Sequence, residues 1–98
     1  MRIEDKIKQI KLDCAQGKSA NYSLFQINTG SYIYIAKAVI INGILHYQII
    51  KTDQFNTYIA SSEVRVSPYG IEYNNQGGTL RIPASVSKKL VQEYGKCL

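Results

Sequence analysis

Histidine is almost missing from this chain, and His46 alone cannot build a multi-histidine metal site. No serine or cysteine nucleophile is suggested near it by spacing, so it reads as a polar strand residue just after a turn. Cysteine is nearly as scarce. Cys14 and Cys97 lie too far apart for a zinc knuckle or a redox pair, and so form one bridge or none. Joined, they would close almost the whole chain, worth about 4 to 5 kcal/mol in the chain-entropy model, provided their Cα atoms come within about 7 Å. Long apolar runs are also lacking. The longest one free of tyrosine is Ala38 to Ile41, against about 20 residues for a bilayer-crossing helix and roughly 7 to 15 for a signal-peptide core. The acids are seven and stand singly except for Glu4-Asp5, so no carboxylate pair for hydrolysis stands out. Neither a Walker-type glycine loop nor a dinucleotide fingerprint occurs, and Gly77-Gly78 alone is too little to hold a phosphate. The expectation is a protein without catalytic activity, metal or cofactor.

What is present describes one domain. The chain has 98 residues, 45% of them hydrophobic and 19% charged, enough to bury about 60% or more of its unfolded surface. Twelve basic residues against seven acidic ones give a formal +5 and favour anionic partners. The base sits at the ends: Lys6, Lys8, Lys11 and Lys18 at the start, Lys88, Lys89 and Lys96 at the finish, with only Lys37, Lys51, Arg65 and Arg81 between.

Ile3, Ile7, Ile10 and Cys14 fall on one narrow helical stripe. Gly17 marks the end of that helix, and Glu4-Asp5 in its first turns complement the dipole. No capping side chain precedes it, so the helix reads as cut into, with Met1 standing in for an upstream piece. Strand chemistry follows over Tyr22 to Asn28, Ser31 to Ile41 and Ile44 to Lys51. Thr29-Gly30 is a reversal, and Asn42-Gly43 is the strongest short hairpin signal because both centres of a type I′ turn need positive φ. In the second strand Ile33, Ile35 and Val39 share parity with Lys37, while Tyr32, Tyr34, Ala36, Ala38 and Ile40 share the other, which predicts a bulge near Lys37. Thr52 to Ser62 reads as a connection. Glu63 to Ser67, Ile71 to Asn74 and Thr79 to Pro83 read as short strands, separated by the Ser67-Pro68-Tyr69-Gly70 turn and a loop over Asn74 to Gly78. From Ala84 onward a helix through Leu90, Val91 and Tyr94, capped by Ser85 or Ser87, competes with a final strand. The fold class is thus α+β, an N-terminal helix packed on an antiparallel sheet of four to seven strands.

The helix end and first strand, Asp13-Cys14-Ala15 through Tyr22-Ser23-Leu24-Phe25, followed by Tyr32-Ile33-Tyr34-Ile35, resemble the helix-to-sheet passage of type IV pilins and pseudopilins. Val64-Arg65-Val66-Ser67-Pro68-Tyr69-Gly70, then Gly77-Gly78-Thr79-Leu80-Arg81-Ile82, then Lys89-Leu90-Val91 and Gly95-Lys96, are similar to the strand, glycine turn, GG-T-hydrophobic strand and closing strand of the minor-subunit group of the GspH, FimT and ComGD kind. The resemblance implies a single domain over 1–98, with 1–17 the remnant of a long N-terminal helix and 21–98 β-rich. It also implies that the tail is a strand. By the same resemblance the chain is a minor subunit of a type IV pilus, type II secretion or competence filament, acting in assembly or at the tip. Its partners are then other pilin or pseudopilin subunits, its place is the extracytoplasmic cell envelope, and it touches the membrane only through the hydrophobic helix that nothing here matches. In that setting Cys14 and Cys97 can oxidise.

A rival likeness lies at residues 78–90, which resemble the hairpin core of AbrB-like transcription factors, a DNA-binding alternative. The DNA-binding members of the pilin group carry an arginine-rich end to the last strand, whereas this chain has no arginine after Arg81. Lys88, Lys89 and Lys96 remain as phosphate contacts, and three such contacts predict weak binding with a slope of about −2.7 in log affinity against log salt.

Overall fold

The computed structural model describes residues 2–78 and 80–96, without the side chains of 75–78. Its elements run α1 (Ile3–Ala15), β1 (Ala20–Asn28), β2 (Ile33–Ile41), β3 (Ile44–Thr52), β4 (Tyr58–Ser67), β5 (Gly70–Gly78) and α2 (Ala84–Tyr94). The five strands form one antiparallel meander in the order β1-β2-β3-β4-β5. An α+β architecture, with the N-terminal helix on an antiparallel sheet, is therefore observed.

Strand parity fixes which face is covered. Tyr34, Ala36, Ala38 and Ile40 of β2, Tyr47 and Ile49 of β3 and Val64 of β4 form one core with Ile10 of α1 and with Val86, Leu90 and Tyr94 of α2. Both helices thus lie on the same face of the sheet. Small alanines at 36 and 38 let the helices approach the central strand closely, and Leu80 and Ile82, on the path into α2, fill the remaining edge. Ser62, buried under that path, donates its hydroxyl to the Leu80 carbonyl at 2.8 Å, and the Ile82 amide donates to the Tyr73 hydroxyl at 2.9 Å.

Asn42 and Gly43 both have positive φ, 51° and 82°, as the hairpin signal requires. The Gly43 amide donates to the Lys18 carbonyl at 3.0 Å. A Cβ there would stand 2.8 Å from the Cys14 carbonyl oxygen, so the glycine also permits the end of α1 to rest on the β2–β3 turn.

Four sequence expectations are corrected. The tail over 84–94 is a helix, because Val86, Leu90 and Tyr94 recur every fourth residue and all three are buried. It begins after Pro83, with no side-chain cap from Ser85 or Ser87; the Ser87 hydroxyl donates instead to the Ala84 carbonyl at 3.1 Å. The AbrB-like hairpin at 78–90 is absent as well, since β5 ends at Gly78 and α2 occupies the second half of that stretch. Residues 74–78 belong to β5, and 80–83 are not strand. β4 begins at Tyr58, inside the stretch read as a connection. The bulge sits one strand over from Lys37: register shifts between Ser23 and Phe25 of β1, opposite Lys37 and Ala36, while β2 itself is continuous.

Candidate functional site

The helical stripe divides along its length. Ile10 is fully buried, Ile7 and Cys14 are half-buried, and Ile3 is exposed at the free end. Cys97, and with it the Cys14–Cys97 bridge, lies outside the described residues.

The basic tail residues do not converge. Lys89 is held within α2 by Glu93, Nζ to Oε2 at 2.6 Å, and its ammonium lies 5.4 Å from the Phe25 ring centroid. Lys88 and Lys96 are exposed, two helical turns apart on one side of α2. A phosphate could meet these two without disturbing a contact, whereas Lys89 would first have to leave Glu93. His46 is half-buried on β3 opposite Val39 of β2. Among the described residues no cluster of three histidine, cysteine, aspartate or glutamate side chains is arranged to hold a metal ion, and no helix is long and apolar enough to cross a membrane.

A cluster not anticipated from the sequence joins α1 to β1. Asp13 is only 4% exposed. One carboxylate oxygen accepts from the Gln9 amide at 3.1 Å and the other from the Tyr22 hydroxyl. The bond to Asp13, then burial, then the Asp13 charge push the Tyr22 hydroxyl above its ordinary pKa, against a smaller opposite pull from Gln9. Gln9 and Asp13 are spaced i, i+4 on the helix, the one local signal of this arrangement; Tyr22 reaches it only through the fold.

The face of the sheet away from the helices carries the most suggestive surface. Along β2 and β3 it presents the cross-strand pairs Ile35↔Ile50, Val39↔His46 and Ile41↔Ile44, with Lys37↔Gln48 between them. Ile41 is 51% and Ile44 63% exposed, and Ile35, Val39 and Ile50 are half-buried. On β4 the same face continues through Glu63, opposite Gln48, and Arg65. Beside it opens a cleft of about 750 Å³ between the end of β3 and the β4–β5 hairpin, with Leu45, Val66 and Ile71 among its walls and Tyr69 at its lip. The isoleucines were legible as strand residues; that they cluster on the uncovered face was not, because both helices choose the alanine-bearing side.

No protein-family model, no curated protein and no solved structure matches this chain. The functional reading therefore rests on the geometry of this surface.

Proposed function

We propose that this chain is a non-catalytic structural subunit that assembles with further copies of itself or closely similar chains through the open face of its sheet. The observation that carries the proposal is the isoleucine and valine row on β2 and β3, left bare while both helices pack on the other side. Contiguous apolar surface of this kind is characteristic of association sites. The charges around it, Lys37 and Arg65 beside Glu63, are of both signs, so a second copy can meet them in complementary fashion without a specialised partner. Two such sheets would stack about 10 Å apart, burying the row between them.

The minor pilin or pseudopilin assignment is the family form of this proposal. It is supported by the helix-then-meander order and by the helix lying on the sheet. The helical tail removes the closing strand on which the resemblance also drew. Under this form the partners are other pilin or pseudopilin subunits, the site is the extracytoplasmic cell envelope, and no cofactor takes part.

Sedimentation equilibrium tests the proposal. The wild-type chain is expected to gain mass with concentration, and the double variant Ile41→Glu, Ile44→Glu to remain monomeric with unchanged circular dichroism. A wild-type chain that stays monomeric at millimolar concentration would overturn it.

A further inference from the structure

The meander forks at one end. Pairing of β2 with β3 continues to Ile41↔Ile44 and that of β4 with β5 to Ser67↔Gly70, but the β3–β4 register stops at Tyr47↔Val64. Beyond that point residues 44–46 and 65–67 each keep a strand neighbour on the far side only, and they face one another across the 750 Å³ cleft. A sheet that opens in this way presents two strand edges toward a common space, and exposed strand edges recruit further strands. The cleft also has the size of a ligand site, about 300 to 1,000 Å³.

Its walls alternate as strand walls do. Leu45, Val66 and Ile71 are half-buried toward the helix side, whereas Ile44, Arg65 and Glu72 are exposed toward the other. Tyr69, 98% exposed in the β4–β5 turn, stands at the lip with an aromatic ring that touches little else. Lys18 adjoins the mouth, its carbonyl accepting the Gly43 amide at 3.0 Å. Arg65 faces Glu72 across the β4–β5 pair; a preference for acid therefore comes from Lys18 and from the net +5 of the chain.

We infer that this fork receives an extended segment of a partner protein as an added strand, with alternate apolar side chains toward Leu45, Val66 and Ile71 and acidic ones toward the exposed side. Main-chain bonds to both strand edges supply affinity, and the apolar wall supplies register. The inference goes beyond the assembly reading. It concerns the gap between β3 and β4 rather than the open face, and the Ile41→Glu variant, which disables the face, leaves the cleft lining intact.

Amide-resolved NMR titration of the whole chain tests it with a capped six-residue peptide of alternating valine and glutamate. Saturable shifts are expected at residues 44–46 and 65–67, together with loss of binding when the peptide backbone is N-methylated. A valine-lysine peptide should bind at least about tenfold more weakly, since like-charge contact costs more than the ~1.4 kcal/mol of one decade. Arg65→Glu, exposed and so compatible with the fold, should narrow that preference. Undiminished binding of the N-methylated peptide, shifts confined to the isoleucine row, or no shifts at millimolar peptide would each overturn the inference.

Discussion

Replacing Tyr22 by phenylalanine removes one oxygen and leaves the ring in place. In the native chain that hydroxyl donates to Asp13, a carboxylate only 4% exposed whose other oxygen is held by Gln9. A hydrogen bond to a charged group contributes about 1.5 to 3 kcal/mol, and an ionised acceptor left short of donors away from water falls at the upper part of that range. The half-buried Tyr22 position admits some water, so the expected loss is about 2 kcal/mol, or roughly 8 to 16 °C in Tm for a domain of this size. Urea unfolding at neutral pH measures it directly. A second signature separates this bond from simple packing. Tyr22 holds its proton more tightly folded than unfolded, so its contribution is complete below the ordinary tyrosine pKa of about 10 and is lost as pH rises through the higher folded value. The wild-type stability curve should therefore fall above about pH 10, and the Tyr22→Phe curve should fall less. A loss under about 0.5 kcal/mol, the scale of an ordinary surface substitution, would refute the reasoning. So would identical alkaline limbs.

Three further outcomes follow from other contacts. Gly43→Ala should cost about 2 to 4 kcal/mol in denaturant unfolding, because the left-handed backbone adds roughly 1 to 2 kcal/mol to the overlap with the Cys14 carbonyl. Leu90→Ala, fully buried on α2, should cost about 2 to 5 kcal/mol by the same assay; a value near zero would mean that α2 does not belong to the core. In low-salt gel shifts with duplex DNA, changing Lys88 and Lys96 to alanine should abolish any retardation and Lys89→Ala alone should change it little, since Glu93 already holds that ammonium; retardation unaffected by the double change would place the DNA contact elsewhere.

The legible parts of this fold share a property: their signals are local. Asn42-Gly43 demands positive φ whatever surrounds it, and the isoleucine stripe of α1 repeats within a few turns. The misread parts depend on distant partners. Ser61 and Ser62 look like connection, yet Ser62 is buried in β4 because the Leu80 carbonyl, remote in sequence, accepts its hydroxyl. Gly77 and Gly78 look like a loop, yet Gly78 pairs with Ser62 as part of β5, where backbone alone makes the ladder. The tail did carry the right signal in Val86, Leu90 and Tyr94; the resemblance to a strand-closed family outweighed it. For the candidate site the apolar residues were visible and their exposure was not. Strand parity sorts β2 into two faces, and only the packing of Ile10, Leu90 and Tyr94 against Ala36 and Ala38 decides which of them is left bare.

Site-directed disulfide trapping tests the assembly proposal most directly. With Cys14 and Cys97 replaced by alanine, a single cysteine is placed at Gln48, amid the open face, or at Gln92, exposed on α2. If copies meet through the open face, Gln48→Cys chains cross-link into dimers under mild oxidation and Gln92→Cys chains stay monomeric, with Ile44→Glu suppressing the Gln48 product. Dimers trapped through Gln92 and not through Gln48 would contradict the account.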